Sequence, residues 1–403
     1  MKKVILSMMA LVCMTASAQF GGFGGFGGGG GNPWVDSEKP VSEDFVPALS
    51  NQDNKQYPQV NSARQVRAQI SAPNATKVGL DIAGKIYTMT KDANGVWTGV
   101  SAPQDPGFHY YQLNIDGASV PDPGSTYYYG ASRWGSGIEV PSDDQDFWQV
   151  KNVPQGSMGE VYYYSSYTEK MRRCFVYLPN EYFTNPTKKF PVLYLQHGMG
   201  ENEYSWPYQG RVAAIMDNLI AAKKAVPFII VMDNGLNARK PQPQGQAGQG
   251  GGGFGGFGGG FGGFGGGFAE DFKQVLFNDI IPMVEKNYRV IADPAHRAYA
   301  GLSMGGMQAR EVTLANPGKF AYVGSFSSGA WSVDQVKNSE GFVKNTKLLF
   351  MSGGGKENMG CVEAAKNIKA LGMNAVGYES PGTAHEFHTW RRSLYEFAQL
   401  LFK

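Results

Sequence analysis

Residues 296–317 read HRAYAGLSMGGMQAREVTLANP. An apolar run ends at a serine between glycines, and a stretch with helical character follows. A strand passing through a tight turn into a helix is the repeating unit of a parallel sheet covered by helices. The turn holds Gly301-Leu302-Ser303-Met304-Gly305, the spacing G-x-S-x-G. In that context the serine is expected at the tip of a strained turn as a nucleophile. Side chains at 301 or 305 would collide where the chain reverses. The helix after Ser303 aims its N-terminal amides at developing negative charge.

The same grammar extends in both directions. From about residue 158, RRCFVYLP, FPVLYLQHG, PFIIVMDNG, YVGSFSSG, TKLLFMSGG and NAVGYESPG read as strands. Helical stretches lie between them: GRVAAIMDNLIAAKK, FAEDFKQVLFNDIIPMVEKNY, MGCVEAAKNIKALG and the closing TWRRSLYEFAQLLF. Most of the strands are continuous apolar runs. This predicts an α/β domain over 158–403, with a mostly parallel sheet and helices on both faces.

A serine nucleophile needs a base. Of five histidines, His109 falls in a β-rich region and His296 precedes the strand leading to Ser303. His197, in LYLQHGMGENEYSW, reads as a structural residue under its loop. His385 and His388 follow the last strand, where active residues of such sheets gather. His385 comes first in that loop and is the expected base; His388 reads as a surface or helix-start residue. Two backbone amides should hold an oxyanion: Met304, directly after Ser303, and Met199 in the loop 197–200. The acid is expected in the loop GGKENMG, which offers Glu357 and Asn358 and no aspartate. Glu357 carries the charge and is the reading adopted, with Asn358 as the alternative that orients an imidazole through its amide oxygen.

Upstream, residues 59–145 give short alternating runs separated by Ala-Gly, Asn-Gly and Asp-Gly turns, which predicts a small all-β sandwich. The stretch TYYYGASRWGSG, 126–137, is aromatic enough that Trp134 is expected either to stack on a substrate or to pack at an interface. Residues 19–58 read as a Gly-rich and irregular segment, and 245–268 as a Gly/Phe-rich insertion. The N-terminus MKKVILSMMALVCMTASA has a positive start, a short apolar run and an A-x-A site. This predicts a signal peptide, 1–18, cleaved after Ala18, and export to the periplasm or beyond. No membrane span is expected. A net charge of +2 gives no nucleic-acid footprint. Scattered histidines and the absence of C-x-x-C predict no metal site, and no organic cofactor is expected. Cys174 and Cys361 form either one disulfide or two buried thiols.

The segments HGMGENEYSW, DNG, DIIPMVEKNYRV, GLSMGGMQA and SPGTAHEFHTWRRSLYEFAQLLF, in that order, resemble the esterase-D-like branch of the α/β hydrolases. In particular they resemble the feruloyl and acetyl-xylan esterases of carbohydrate esterase family 1. The β-rich region is similar to that family's N-terminal immunoglobulin-like module, related to carbohydrate-binding family 48. The resemblance implies an exported serine esterase that removes feruloyl or acetyl groups from plant xylan, with Ser303 as nucleophile and His385 as base. Asn358 stands where the family usually has Asp. Three other readings remain open: a catalytically weak carbohydrate-binding protein, a hydrolase of another ester such as a siderophore ester, and an assembly protein driven by the Gly/Phe tracts.

Overall fold

The computed structural model describes residues 31–236, 238 and 267–403. The expected leader 1–18, the Gly-rich stretch up to residue 30 and nearly all of the insertion 245–268 lie outside the described residues. The chain divides into two compact units. The first is Met1–Gln145 with Thr383–His388, and the second is Asp146–Gly382 with Thr389–Lys403.

The first unit is built of two β-sheets. Trp34–Asp36, Lys85–Thr88, Val78–Ile82, Gly107–Ile115, Arg133–Val140 and Tyr127–Gly130 lie side by side, with Ala118–Val120 also paired to Gly107–Ile115. The second sheet runs Val46–Pro47, Gln59–Val60, Gln65–Ser71, Val96–Pro103, Thr90–Lys91. Inward-facing Val66, Ala68, Leu80, Ile82, Tyr111, Leu113 and Ile138 from the two sheets share one core. Three hairpins turn on two residues that both have positive φ: Ala83-Gly84, Asp116-Gly117 and Ala131-Ser132. Such turns match the right-handed twist of the strands they join. One difference from the sequence reading lies at Trp34–Asp36, inside the segment expected to be irregular. It pairs parallel with Lys85–Thr88. The Trp34 ring lies where a side chain at position 79 would stand, 2.7 Å from a built Cβ, so Gly79 makes the seat for it. Three residues are too few for periodicity to reveal a strand.

The second unit is an eight-stranded sheet. Its order is Ser157–Ser165, Lys170–Leu178, Ile229–Asp233, Val192–Gln196, Arg297–Leu302, Tyr322–Phe326, Leu348–Gly354, Ala375–Ser380. The first three strands pair antiparallel and the rest parallel. The direction of winding reverses at Val192–Gln196, and ligand crevices of open α/β sheets form beside such reversals. The central strands are buried along their whole length, as their continuous apolar runs predict. The helix expected around 268–288 runs from Gly267 to Asn287, with a π-helical turn at Leu276–Ile280. Pro282 supplies the reason: it lacks the N–H that an unbroken α-helix would use there.

Cys174 and Cys361 are buried free thiols, not a disulfide. Burial pushes the Cys361 thiol up to about 12, which removes thiolate reactivity. Among the described residues no helix is long and apolar enough to cross a membrane.

Candidate active site

Arg297–Leu302 ends at Ser303, and Met304–Ala315 is the helix that begins at once. Ser303 sits at φ 49°, ψ −116°, a sparsely populated conformation for a residue with a side chain. Strain of this kind costs about 1–3 kcal/mol and is held only where the surroundings enforce it. Here they do. Ser303 N–H donates to the Phe326 carbonyl at 2.7 Å, and the Ser303 carbonyl accepts from Met307 N–H at 3.1 Å. A Cβ on Gly301 would stand 2.4 Å from the Gly305 carbonyl carbon, and one on Gly305 would stand 2.5 Å from the His197 carbonyl oxygen. Only glycine lets the strand end, the helix start and the neighbouring loop approach so closely.

That loop is residues 197–200, after the strand Val192–Gln196. A Cβ on Gly198 would lie 3.3 Å from Ser303 Cβ, so the loop runs directly against the serine. Met199 is half-buried in it and Met304 is fully buried at the helix start. His197 is buried, with Nδ1 2.7 Å from the Gly198 carbonyl oxygen. Its Nε2 accepts from Gly235 N–H at 3.1 Å, which fixes the proton on Nδ1. Burial lowers its pKa to about 4, so the ring is neutral, with one nitrogen committed to its own loop and the other to Gly235. This is the structural role its sequence context suggests.

Two further layers support the loop. Trp206 Nε1 donates to the Gln196 carbonyl at 2.9 Å, pinning the strand end. Behind Gly235, Arg172 reaches Asp233 at 2.5 Å and the Asn234 carbonyl at 2.6 Å, and Tyr163 hydroxyl donates to Asp233 at 2.7 Å. Asn234 in turn donates to Glu203 at 3.0 Å, and Arg173 bonds the same carboxylate. The segment 233–235 is therefore held by charge-assisted bonds on one side and by His197 on the other.

Glu357 lies in a short turn, Gly355–Glu357, after Leu348–Gly354. Its Oε2 accepts from Ser327 Oγ at 2.7 Å and Gly354 N–H at 2.6 Å. Ser327 directly follows Phe326, whose carbonyl receives Ser303 N–H, so the carboxylate is fastened at the strand end next to the serine. Asn358 is exposed, in the left-handed conformation. Ser327, itself at φ 49°, was not singled out in the sequence. Its only signal there is a run of serines after a strand.

His385 belongs to the first compact unit, with the rest of Thr383–His388. Glu386 in this segment accepts from Ala384 N–H at 3.1 Å. Phe387 packs edge-on to Phe108 at 5.9 Å between ring centroids. His388 is 1% exposed, with Nε2 3.2 Å from Asp144 Oδ1. This corrects the surface reading of His388: it starts the last helix but is a buried anchor. Trp134 is also in the first unit, 47% exposed on Arg133–Val140, edge-on to Tyr129 at 5.6 Å. His296 sits in the short turn before Arg297, at the opposite end of that strand from Ser303.

A family model described as putative esterase matches residues 165–396. The chain is 44% identical over 378 residues to an endo-1,4-beta-xylanase/feruloyl esterase of Xylanibacter ruminicola, covering 92% of this chain and 49% of that protein. It is 26% identical over 202 residues to endo-1,4-beta-xylanase Y of Acetivibrio thermocellus, covering 44% of this chain and 16% of that protein. The chain thus spans about half the length of the first of these relatives and less of the second. Among solved structures, a CE1 ferulic acid esterase from Anaeromyces mucronatus in complex with ferulic acid matches with a TM-score of 0.50, at 21% identity over 65% of this chain and 96% of that one. The enterobactin esterase of Shigella flexneri, solved in the presence of enterobactin, matches with a TM-score of 0.58, at 15% identity over 84% and 92%. At these identities the structural likeness is one of fold.

Proposed function

The chain belongs to the putative esterase family, and from that premise we propose that it is an exported serine esterase that removes feruloyl or acetyl groups from plant xylan. The observation that carries the reading is Ser303, held at φ 49° between a strand end and a helix start with the 197–200 loop against it. The relative at 44% identity, described as a xylanase/feruloyl esterase, supports the substrate class.

In this reading His385 takes the Ser303 proton and Ser303 Oγ attacks the ester carbonyl carbon. The Met304 and Met199 amides receive the oxyanion. Collapse expels the alcohol, protonated by His385, and leaves an acyl-serine. Water, deprotonated by His385, then releases the carboxylic acid and restores Ser303. Glu357 orients the imidazole and balances its charge. Two features support this set. Arg297–Leu302, Tyr322–Phe326, Leu348–Gly354 and Ala375–Ser380 are successive parallel strands, so the chain leaves the sheet at the same edge before Ser303, before the Glu357 turn and after Ser380. The Glu357 carboxylate is fastened by two hydrogen bonds, while Asn358 is exposed. The first unit is read as an immunoglobulin-like, carbohydrate-binding module whose exposed Trp134 stacks on the polysaccharide.

Purified protein assayed on methyl ferulate, acetylated xylan, an aryl acetate and a catecholate siderophore ester tests the proposal. Turnover of the first two, lost in Ser303→Ala, is the expected result. Turnover of the siderophore ester alone would move the substrate class, and no turnover on any ester would favour a binding protein.

A further inference from the structure

One buried carboxyl beside the 197–200 loop is unused by the chemistry above. Glu201 is 3% exposed. Its Oε2 accepts Gly198 N–H at 3.2 Å. Ser205 Oγ donates to the Asn202 carbonyl at 2.9 Å and accepts from Asn202 N–H at 3.3 Å. Burial pushes the Glu201 carboxyl up to about 8, against the pull of the Gly198 amide, and no neighbouring charge is among the causes. The charged and titratable groups of the surrounding segments are engaged elsewhere. His197 is neutral between Gly198 and Gly235, and Glu203 is held by Arg173 and Asn234. Arg172 is held by Asp233, and Arg391 donates to the Gln209 carbonyl at 2.7 Å.

We propose that Glu201 is a positioning residue of the oxyanion loop: its carboxyl fixes Gly198, and through it the Met199 amide, against Ser303. The proposal rests on the reading of Ser303 as nucleophile. A side-chain position on Gly198 lies 3.3 Å from Ser303 Cβ and 3.6 Å from Glu201 Oε2, so one backbone position links the two residues. Two consequences follow. Loss of the carboxyl frees the Gly198 amide and lets the loop drift. Ionisation keeps the hydrogen bond but sets a negative charge beside the place where the oxyanion develops, which raises the barrier in a buried site.

The test compares the wild type, Glu201→Gln, Glu201→Leu and Ser303→Ala on an aryl acetate across about pH 6 to 10, with enzyme-free blanks subtracted. Gln keeps an acceptor for Gly198 but cannot ionise. Wild-type kcat should fall by about tenfold or more as pH rises through the Glu201 titration, with KM little changed. Glu201→Gln should stay within about threefold of wild type near pH 7 and lose that alkaline fall. Glu201→Leu should lower kcat by about a hundredfold, the scale of one misplaced oxyanion donor. If it does not fold, as judged by thermal melting, the Gln profile alone decides. An alkaline fall unchanged in Glu201→Gln overturns the proposal. Wild-type turnover by Ser303→Ala would instead overturn the ester mechanism on which the proposal rests.

Discussion

At the scale of single residues, the reading turns on which groups carry protons. Glu357→Gln should cut kcat by about a hundredfold or more, since the imidazole loses its charged partner, while Asn358→Ala should change it little. Steady-state kinetics on an aryl acetate separates them, and the reverse ranking would make Asn358 the orienting group. His197 gives a prediction about stability. Its folded pKa is about 4 against an ordinary 6.5, so the unfolded chain binds the proton first as pH falls. Its contribution is therefore present in full above pH 6.5 and lost as pH drops toward 4, at up to about 1.4 kcal/mol per pH unit. His197→Gln should flatten that part of the denaturation profile, and an unchanged slope would mean that another group is responsible. The sequence showed Ser303 plainly because G-x-S-x-G between strand and helix is a pattern of glycines with a steric cause. It could not show Glu201 or Ser327, since nothing in ENEYSW or SFSSG distinguishes a buried polar residue from a solvated one.

At the scale of elements, the apolar runs of the parallel strands were legible because burial on both faces leaves few polar residues in them. The antiparallel start, Ser157–Ser165 with Lys170–Leu178, carries buried polar groups that the same rule misreads. Arg172 and Asp233 are both buried and face each other at 2.5 Å. Arg172→Met leaves Asp233 without its counter-charge and loosens the 233–235 segment under His197. It should cost about 3–5 kcal/mol in denaturant unfolding, the usual penalty for breaking a buried pair. A loss of less than about 1 kcal/mol would show that the pair behaves like a surface one. The π-turn at Leu276–Ile280 was hidden for another reason: hydrophobic spacing reports that a helix exists, not how its hydrogen bonds step past Pro282.

At the scale of the molecule, composition and turn chemistry separated a β-rich region from an α/β region, and both are present. What the sequence did not reveal is that Thr383–His388, leading from the last strand of the α/β unit into its last helix, folds with the β-rich unit. Contacts such as His388 with Asp144 and Phe387 with Phe108 join residues hundreds of positions apart, beyond any local pattern. Gly107, at φ 113°, leaves room for this segment: a Cβ there would lie 2.8 Å from His388 Cβ. Gly107→Ala should therefore displace Thr383–His388 and cost about 1–3 kcal/mol in denaturant unfolding, the usual penalty of overpacking. An unchanged unfolding midpoint would show that the segment gives way at Gly107 without cost. The central claim, that one strained serine is the nucleophile of an ester hydrolase, is tested most directly by covalent labelling. The protein is treated with an aryl phosphonate, its intact mass and modified peptide are determined, and residual hydrolysis is measured in the same sample. The account predicts a single adduct, on Ser303, with activity lost in proportion to labelling. Full hydrolysis after labelling of Ser303, or inactivation through an adduct on another residue, would contradict it.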